Sequence, residues 1–137
     1  MTSVIVDTGP LVALLNRRER HHTWAAKIMD TIEPPLFTCD PVLSEACFLL
    51  QDMDGGPDAV MELVARGIVR SDFRVMAEVE SIRALMKKFA TAPMSLADAC
   101  VVRMTELDQK SVVLTLDSDF KVYRRNKRKV VPTLMPN

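Results

Sequence analysis

A strand and the turn after it are encoded by the stretch Val4-Ile5-Val6-Asp7-Thr8-Gly9-Pro10, close to the start of the chain. Three consecutive β-branched residues are typical of a short buried strand, and Thr8-Gly9-Pro10 is typical of a turn into a helix. A second run of this kind, Val112-Val113-Leu114-Thr115-Leu116, is followed at once by Asp117. Both runs therefore predict buried strands that end on an aspartate.

Helical patterns separate these two strands. They are apolar or amphipathic segments bounded by capping and turn residues, and they predict helices at residues 11–15, 21–32, 41–51, 58–66, 75–89 and 96–107. Further strands are predicted at residues 36–39, from residue 68 and at residues 130–131. Strands that alternate with helices are parallel and joined by right-handed crossovers. The predicted fold class is α/β, a three-layer α/β/α sandwich with a parallel central sheet.

Length and composition predict one domain over residues 1–137. The chain has 137 residues, with 18 basic and 18 acidic side chains, so its net charge does not indicate a partner. Cys39, Cys47 and Cys100 lie in apolar stretches, which is typical of reduced, buried thiols in a cytosolic protein. No signal-peptide pattern is present, and no apolar run approaches the roughly 20 residues that span a bilayer. We expect a cytoplasmic protein with no membrane partner.

Four carboxylates occupy positions that a solvated helix face does not explain. Asp7 and Asp117 directly follow apolar strands, at the carboxyl edge of the sheet, where open α/β folds bind their ligands. Glu45 and Asp98 lie inside apolar stretches near the N-termini of predicted helices. Whether these two acids meet the first two depends on helix orientations that the pattern does not supply.

Convergence of these acids would require a counter-charge. Two carboxylates about 4 Å apart repel by roughly 4 kcal/mol at an effective dielectric constant near 20. The four motifs contain no lysine or arginine, and carboxylate oxygens are the ligands that hard divalent ions prefer. Mg²⁺ or Mn²⁺ in such a site activates water for attack on a phosphodiester. Signatures of a covalent nucleophile or of a Walker loop are absent from the sequence, so metal-assisted hydrolysis is the predicted chemistry.

These motifs resemble those of PIN domains, particularly the VapC-like toxins of bacterial toxin–antitoxin pairs. The resemblance spans nearly the whole chain and rests on motifs in the family's order: residues 4–15, Glu45, residues 95–99 and residues 115–120. It implies an α/β/α sandwich with a parallel five-stranded sheet and a metal-dependent endoribonuclease that uses Mg²⁺ or Mn²⁺. For a toxin it further implies an RNA substrate, a homodimer and a cognate antitoxin protein.

The same resemblance implies roles for individual residues. The family's four catalytic acids fall on Asp7, Glu45, Asp98 and Asp117, of which Asp7, Asp98 and Asp117 are the expected metal ligands. Asp119 is a further acid beside the site, and Thr8 and Thr115 are expected to supply supporting hydroxyl groups.

A basic segment follows the last of these acids. Residues 121–129 carry six cations and no acid, and Arg124, Arg125, Lys127 and Arg128 are candidates for contacts with RNA phosphates. A solvated basic turn explains the same residues. Residues 17–22 form a second basic segment, which is interpreted first as a polar connection between helices.

Each acid also has a structural interpretation. Asp7 or Asp98 can cap a helix, Glu45 can face solvent on a half-buried helix, and Asp117 with Asp119 can form a capping turn. All four serving only these purposes is the less favoured explanation.

Three other functions fit parts of the pattern. A phosphoacceptor receiver domain shares the architecture, but it needs paired acids after the first strand and a lysine after the last, and neither is present. A PIN scaffold used only for binding, and an RNA-processing PIN nuclease without a toxin role, remain alternatives.

Overall fold

The structure is a computed structural model that describes residues 2–137. Its strands are β1 (Val4–Val6), β2 (Leu36–Phe37), β3 (Val69–Arg70), β4 (Val112–Leu114), β5 (Arg124–Arg125), β6 (Lys129–Val130) and β7 (Thr133–Leu134). Its α-helices are α1 (Thr8–Leu15), α2 (His22–Asp30), α3 (Asp40–Leu49), α4 (Gly56–Ala65), α5 (Val79–Lys88) and α6 (Leu96–Leu107). Short 3₁₀ helices span Met76–Glu78 and Ser118–Lys121. Over this range, no helix is both long enough and apolar enough to cross a bilayer.

Five of the strands form a parallel sheet in the order β3-β2-β1-β4-β7. The chain moves outward from β1 through β2 to β3 and then crosses back to place β4 on the other side of β1. The strand order therefore reverses between β1 and β4, which is where open α/β sheets form their binding crevices. The predicted α/β fold with a parallel five-stranded sheet is confirmed.

Helix α6 packs against β1 and β4 and carries much of the buried core. Its small residues Ala97, Ala99 and Cys100 are at most 5% exposed, so the helix can approach the sheet closely. Cys39 is also fully buried, whereas Cys47 is half-buried. The predicted role of Cys39 and Cys100 as packing residues is confirmed.

The end of the chain differs from its predicted form. The sheet's fifth strand is β7, at Thr133–Leu134, and not at residues 130–131, where the sequence predicts the last strand. Val130 instead belongs to β6, which pairs antiparallel with β5 in a separate hairpin. Asn126 and Lys127 both have positive φ, which turns the chain back on itself at the hairpin tip. The pairing with β5 decides where this strand lies, because the β-branched pattern of Val130-Val131 does not specify a partner.

Several predicted helix boundaries also differ. Helix α1 already begins at Thr8, where the sequence predicts a turn, and α4 begins at Gly56 instead of residue 58. The helix predicted over residues 75–89 begins as the 3₁₀ turn, and α5 starts only at Val79. Asp40 is the first residue of α3 and does not cap it; Cys39 holds the N-cap position, and Asp40 Oδ1 accepts a hydrogen bond from the Ser71 hydroxyl. Asp40 is thus used to hold the segment after β3.

Candidate functional site

Asp7 follows β1 directly and is 6% exposed. Its N–H donates to the carbonyl of Leu114 at 3.0 Å, so the backbone continues the pairing of β1 with β4. Asp7 occupies the N-cap position of α1, but its side chain makes no capping hydrogen bond. The Thr115 hydroxyl instead donates to Asp7 Oδ2 at 2.8 Å. The hydroxyl of Thr115, which directly follows β4, therefore holds the carboxylate.

Asp117 lies three residues after the end of β4. Its N–H donates to Thr115 Oγ1 at 3.0 Å, and its Oδ1 accepts from the Asp119 N–H at 2.9 Å. Asp117 therefore caps the 3₁₀ turn, as its structural interpretation predicts, while remaining at the edge of the sheet.

Gly9 allows α1 to approach Leu116 closely, because an added Cβ would lie 3.1 Å from Leu116 Cβ.

Asp98 enters the site from the first turn of α6. Its N–H donates to Ser95 Oγ at 3.1 Å, and its Oδ2 accepts from the Ser95 N–H at 3.2 Å, which together form a capping box. The prediction that Asp98 can cap a helix is therefore confirmed. Asp98 Oδ2 also accepts a hydrogen bond from the Tyr123 hydroxyl at 2.9 Å, which capping does not explain.

Asp7 and Asp117 share Thr115 as a hydrogen-bond partner, and the charge of Asp98 acts on Asp7. Burial raises the pKa of Asp7 to about 6 against the hydrogen bond from Thr115, and the charges of Asp98 and Asp117 add to the rise. Burial likewise raises the pKa of Asp98, and the charge of Asp117 contributes. No arginine or lysine of residues 2–137 forms an ion pair with these three aspartates. They form a cluster of like charges at the reversal point of the sheet.

The remaining predicted residues lie around this cluster. Glu45 is exposed on α3, in an open groove that it shares with Ser95 and Leu96. Asp119 is half-buried, and its charge helps to raise the pKa of Tyr123. Thr8 is buried, and its Oγ1 has no hydrogen-bond partner among residues 2–137.

The three aspartates suit a hydrated divalent ion better than a closed metal cage. Within residues 2–137, no group of three acidic, histidine or cysteine side chains has the geometry of a preformed metal site. Each aspartate nevertheless accepts its side-chain hydrogen bonds through one oxygen only: Asp7 and Asp98 through Oδ2, and Asp117 through Oδ1. Mg²⁺ usually keeps several waters and binds one or two carboxylates. The free oxygens and the unpartnered Thr8 hydroxyl fit such an ion.

The basic segment is a docked hairpin, and one of its predicted RNA contacts is wrong. Arg125 is 8% exposed, and its guanidinium donates to the carbonyls of Thr105 and Gln109 at the end of α6. A buried arginine that is committed to helix carbonyls cannot reach a phosphate. Arg124 is half-buried and donates to three carbonyls of residues 121–123.

The tip of the hairpin keeps its cations in solvent. Lys127 and Arg128 are exposed, as are the neighbouring Lys121 and Lys129. The tip is tied to the rest of the fold, because the Asn126 N–H donates to Glu106 and the Lys88 ammonium donates to the carbonyl of Lys127. These exposed cations are therefore presented on a fixed element.

Tyr123 is the residue of the site that sequence reasoning missed. The sequence places it inside the basic segment, where it looks like an isolated aromatic among cations. No spacing relates it to Asp98, which lies 25 residues earlier on a different helix. Its contact with the site arises only when β5, which Tyr123 directly precedes, packs against α6.

Comparisons with known proteins agree with this geometry. Residues 4–126 match the family model of the PIN domain. Among solved structures, the chain resembles VapC20 of Mycobacterium tuberculosis, with a TM-score of 0.74 and 24% identity over 88% of this chain and 94% of that one. VapC20 is described as a toxin that cleaves the sarcin–ricin loop. At this identity the likeness establishes the fold. Comparison with curated proteins gives no significant match.

Proposed function

The chain belongs to the PIN-domain family, and from that premise we propose that it is a metal-dependent endoribonuclease. The observation that carries the proposal is the cluster of Asp7, Asp98 and Asp117, which repel one another and have no cationic side chain of the described residues paired with them. A divalent cation is the group that offsets this repulsion, and a phosphodiester is the substrate on which such a cation acts.

Asp7, Asp98 and Asp117 would hold the ion through the oxygens that their hydrogen bonds leave free. Mg²⁺ or Mn²⁺ bound there would polarise the phosphodiester and lower the pKa of an attacking water. Thr115 has a positioning role, since its hydroxyl holds Asp7 while accepting the Asp117 N–H. Glu45 faces the open groove beside the start of α6, where it can act on an RNA strand or on water at the edge of the site.

The proposal is tested by cleavage of an RNA oligonucleotide with Mg²⁺ or Mn²⁺, with and without a chelator. We expect Asp98→Asn to lower kcat/KM by more than about 100-fold. Replacing a residue that only hydrogen-bonds a metal ligand already lowers metal affinity or activity by about 10–100-fold, and a ligand itself should matter more. Asp54→Asn, which removes an exposed acid from the loop after α3, is the matched control and should cleave like the wild type. Equal cleavage by wild type and Asp98→Asn, or full activity with excess chelator, would overturn the proposal.

We further propose that the enzyme acts as the toxin of a toxin–antitoxin pair and forms a homodimer. The likeness to VapC20 supports a toxin and makes the sarcin–ricin loop a candidate substrate. Exposed apolar side chains on α3 and α6, such as Phe48 at 65% and Leu96 at 43%, offer surface for a protein partner. We expect expression of the wild type to arrest growth and expression of Asp98→Asn not to. Light scattering in solution would give the mass of the oligomer. An RNA-processing nuclease without a toxin role would not arrest growth.

The hairpin tip is proposed to hold RNA phosphates through Lys127 and Arg128. Replacing both with alanine should raise KM while leaving kcat nearly unchanged, because neither side chain belongs to the acidic cluster. The slope of log affinity against log salt should fall by about 0.7 for each phosphate of a single strand that the variant no longer neutralises. The double variant Lys27→Ala/Arg66→Ala, which removes two exposed cations on α2 and after α4, is the control. An unchanged salt slope in the hairpin variant would exclude a role for these two cations in RNA binding.

A further inference from the structure

Tyr123 is a fully buried side chain that reaches the acidic cluster. It follows the 3₁₀ helix that Asp117 caps and directly precedes β5. Its ring packs edge-on against Phe120 with centroids 5.2 Å apart, and against Phe89 with centroids 5.4 Å apart. Aromatic packing of this kind fixes the ring in one orientation. The hydroxyl group is consequently held at a fixed point.

That point is Asp98 Oδ2, which accepts the Tyr123 hydroxyl at 2.9 Å and the Ser95 N–H at 3.2 Å. Neither hydrogen bond uses Asp98 Oδ1. Two donors on one oxygen define the plane of the carboxylate, because rotation of the side chain would break both bonds. They leave Oδ1 as the oxygen with lone pairs for another group.

The chemical type of the hydrogen-bond donor determines whether Asp98 keeps its charge. A lysine or arginine at this position would orient Asp98 and also neutralise its charge, which would weaken its attraction for a cation. A phenol donates one hydrogen bond and is neutral at pH 7, because its ordinary pKa is about 10. Asp98 is thus oriented while keeping its negative charge. Burial of the hydroxyl without a hydrogen-bond partner would be unfavourable, so the hydroxyl favours this one arrangement.

We propose that Tyr123 is a positioning residue that presents Asp98 Oδ1 to the divalent cation. This inference rests on the proposed function, because it needs a cation at the acidic cluster. Hydrogen bonds to the ligands of a metal typically change affinity by 10–100-fold. Tyr123 would therefore set metal affinity without touching RNA.

The first test is Tyr123→Phe, which removes the hydroxyl oxygen and retains the ring that packs against Phe89 and Phe120. Calorimetric titration of the metal-free protein with Mn²⁺ should show affinity about 10–100-fold weaker than in the wild type. RNA cleavage should need correspondingly more metal, with an RNA KM at saturating metal close to the wild-type value. A role limited to packing would lower the melting temperature without changing Mn²⁺ affinity, and that result would overturn the inference.

The second test does not depend on a Tyr123 variant, because the chain contains a single tyrosine. Incorporation of 3-fluorotyrosine places one fluorine beside the Asp98 hydrogen bond. Titration with Mg²⁺ should shift its ¹⁹F resonance in the wild type and leave it unmoved in the Asp98→Asn background. A wild-type resonance that does not respond, although Mn²⁺ binds and Asp98→Asn weakens that binding, would refute the role of Tyr123 alone. Mn²⁺ affinity that is indifferent to Asp98→Asn would refute the proposed metal site and this inference with it.

Discussion

Asp7→Asn is expected to abolish RNA cleavage and, in the same protein, to stabilise the metal-free fold at neutral pH. The loss of cleavage follows because an amide removes the charge of a proposed metal ligand, and we expect it to exceed about 100-fold. The gain in stability follows from the burial of Asp7, which raises its pKa to about 6 from an ordinary value of 3.8. The same carboxylate is thus expected to be required for cleavage and to lower the stability of the metal-free protein.

The sign of the stability effect comes from proton linkage. Between pH 3.8 and about 6 the folded state holds a proton on Asp7 that the unfolded state has released. Stability due to this group is therefore fully present below pH 3.8 and is lost as pH rises through 6. A raised pKa of this size corresponds to about 3 kcal/mol at pH 7. Asparagine carries no charge and can still accept the Thr115 hydroxyl, so it should recover up to that amount.

Chemical denaturation of metal-free protein at pH 4 and pH 7 measures this effect. We expect the variant and the wild type to be most alike at pH 4 and most different at pH 7, with the variant more stable. Added Mg²⁺ should then stabilise the wild type and not the variant, since binding to the native state raises its stability. The exposed Asp54→Asn is again the control. A variant that is less stable than the wild type at pH 7 would contradict the burial argument.

Gly56→Ala is expected to cause the largest loss of stability among the single glycine substitutions. A Cβ built on Gly56 would lie 2.1 Å from the carbonyl oxygen of Leu50 and 2.9 Å from Leu50 Cβ. The carbonyl belongs to the backbone at the end of α3, so it cannot move aside without shifting α3 or α4. Overpacking of this kind costs typically 1–3 kcal/mol or more, and we expect about 3 kcal/mol. The melting temperature should fall by roughly 10 °C.

The adjacent Gly55 is the matched control, because its φ is +69° and an added Cβ would meet nothing within 4 Å. Gly55→Ala should therefore cost only the left-handed backbone strain of about 1 kcal/mol. Neither glycine belongs to the acidic cluster, so the folded fraction of both variants should bind Mn²⁺ like the wild type. Equal losses of stability in the two variants would mean that backbone conformation, and not the clash with Leu50, limits this position.

The sequence alone could place some residues of the acidic site and not others, and the difference has a physical reason. Asp7 and Asp117 could be placed from local sequence, since a carboxylate directly after a buried strand lies at the sheet edge whatever the rest of the chain does. Glu45 and Asp98 could not be placed in this way, because a residue on a helix reaches the edge only if the helix has the right orientation. Asp98 joins the cluster through α6, whereas Glu45 faces the open groove.

Local sequence determined the strand and helix types, the parallel α/β class and the strand-end aspartates, because apolar periodicity and capping act over a few residues. The opening stretch from Val4 to Pro10 is the clearest case: it encodes a buried strand, an acid and a helix start, all of which the structure contains. Only tertiary packing could decide that Arg125 is buried, that β7 completes the sheet and that Tyr123 meets Asp98. Each of these depends on contacts between segments far apart in the chain, whose side chains carry no local signal of their partner.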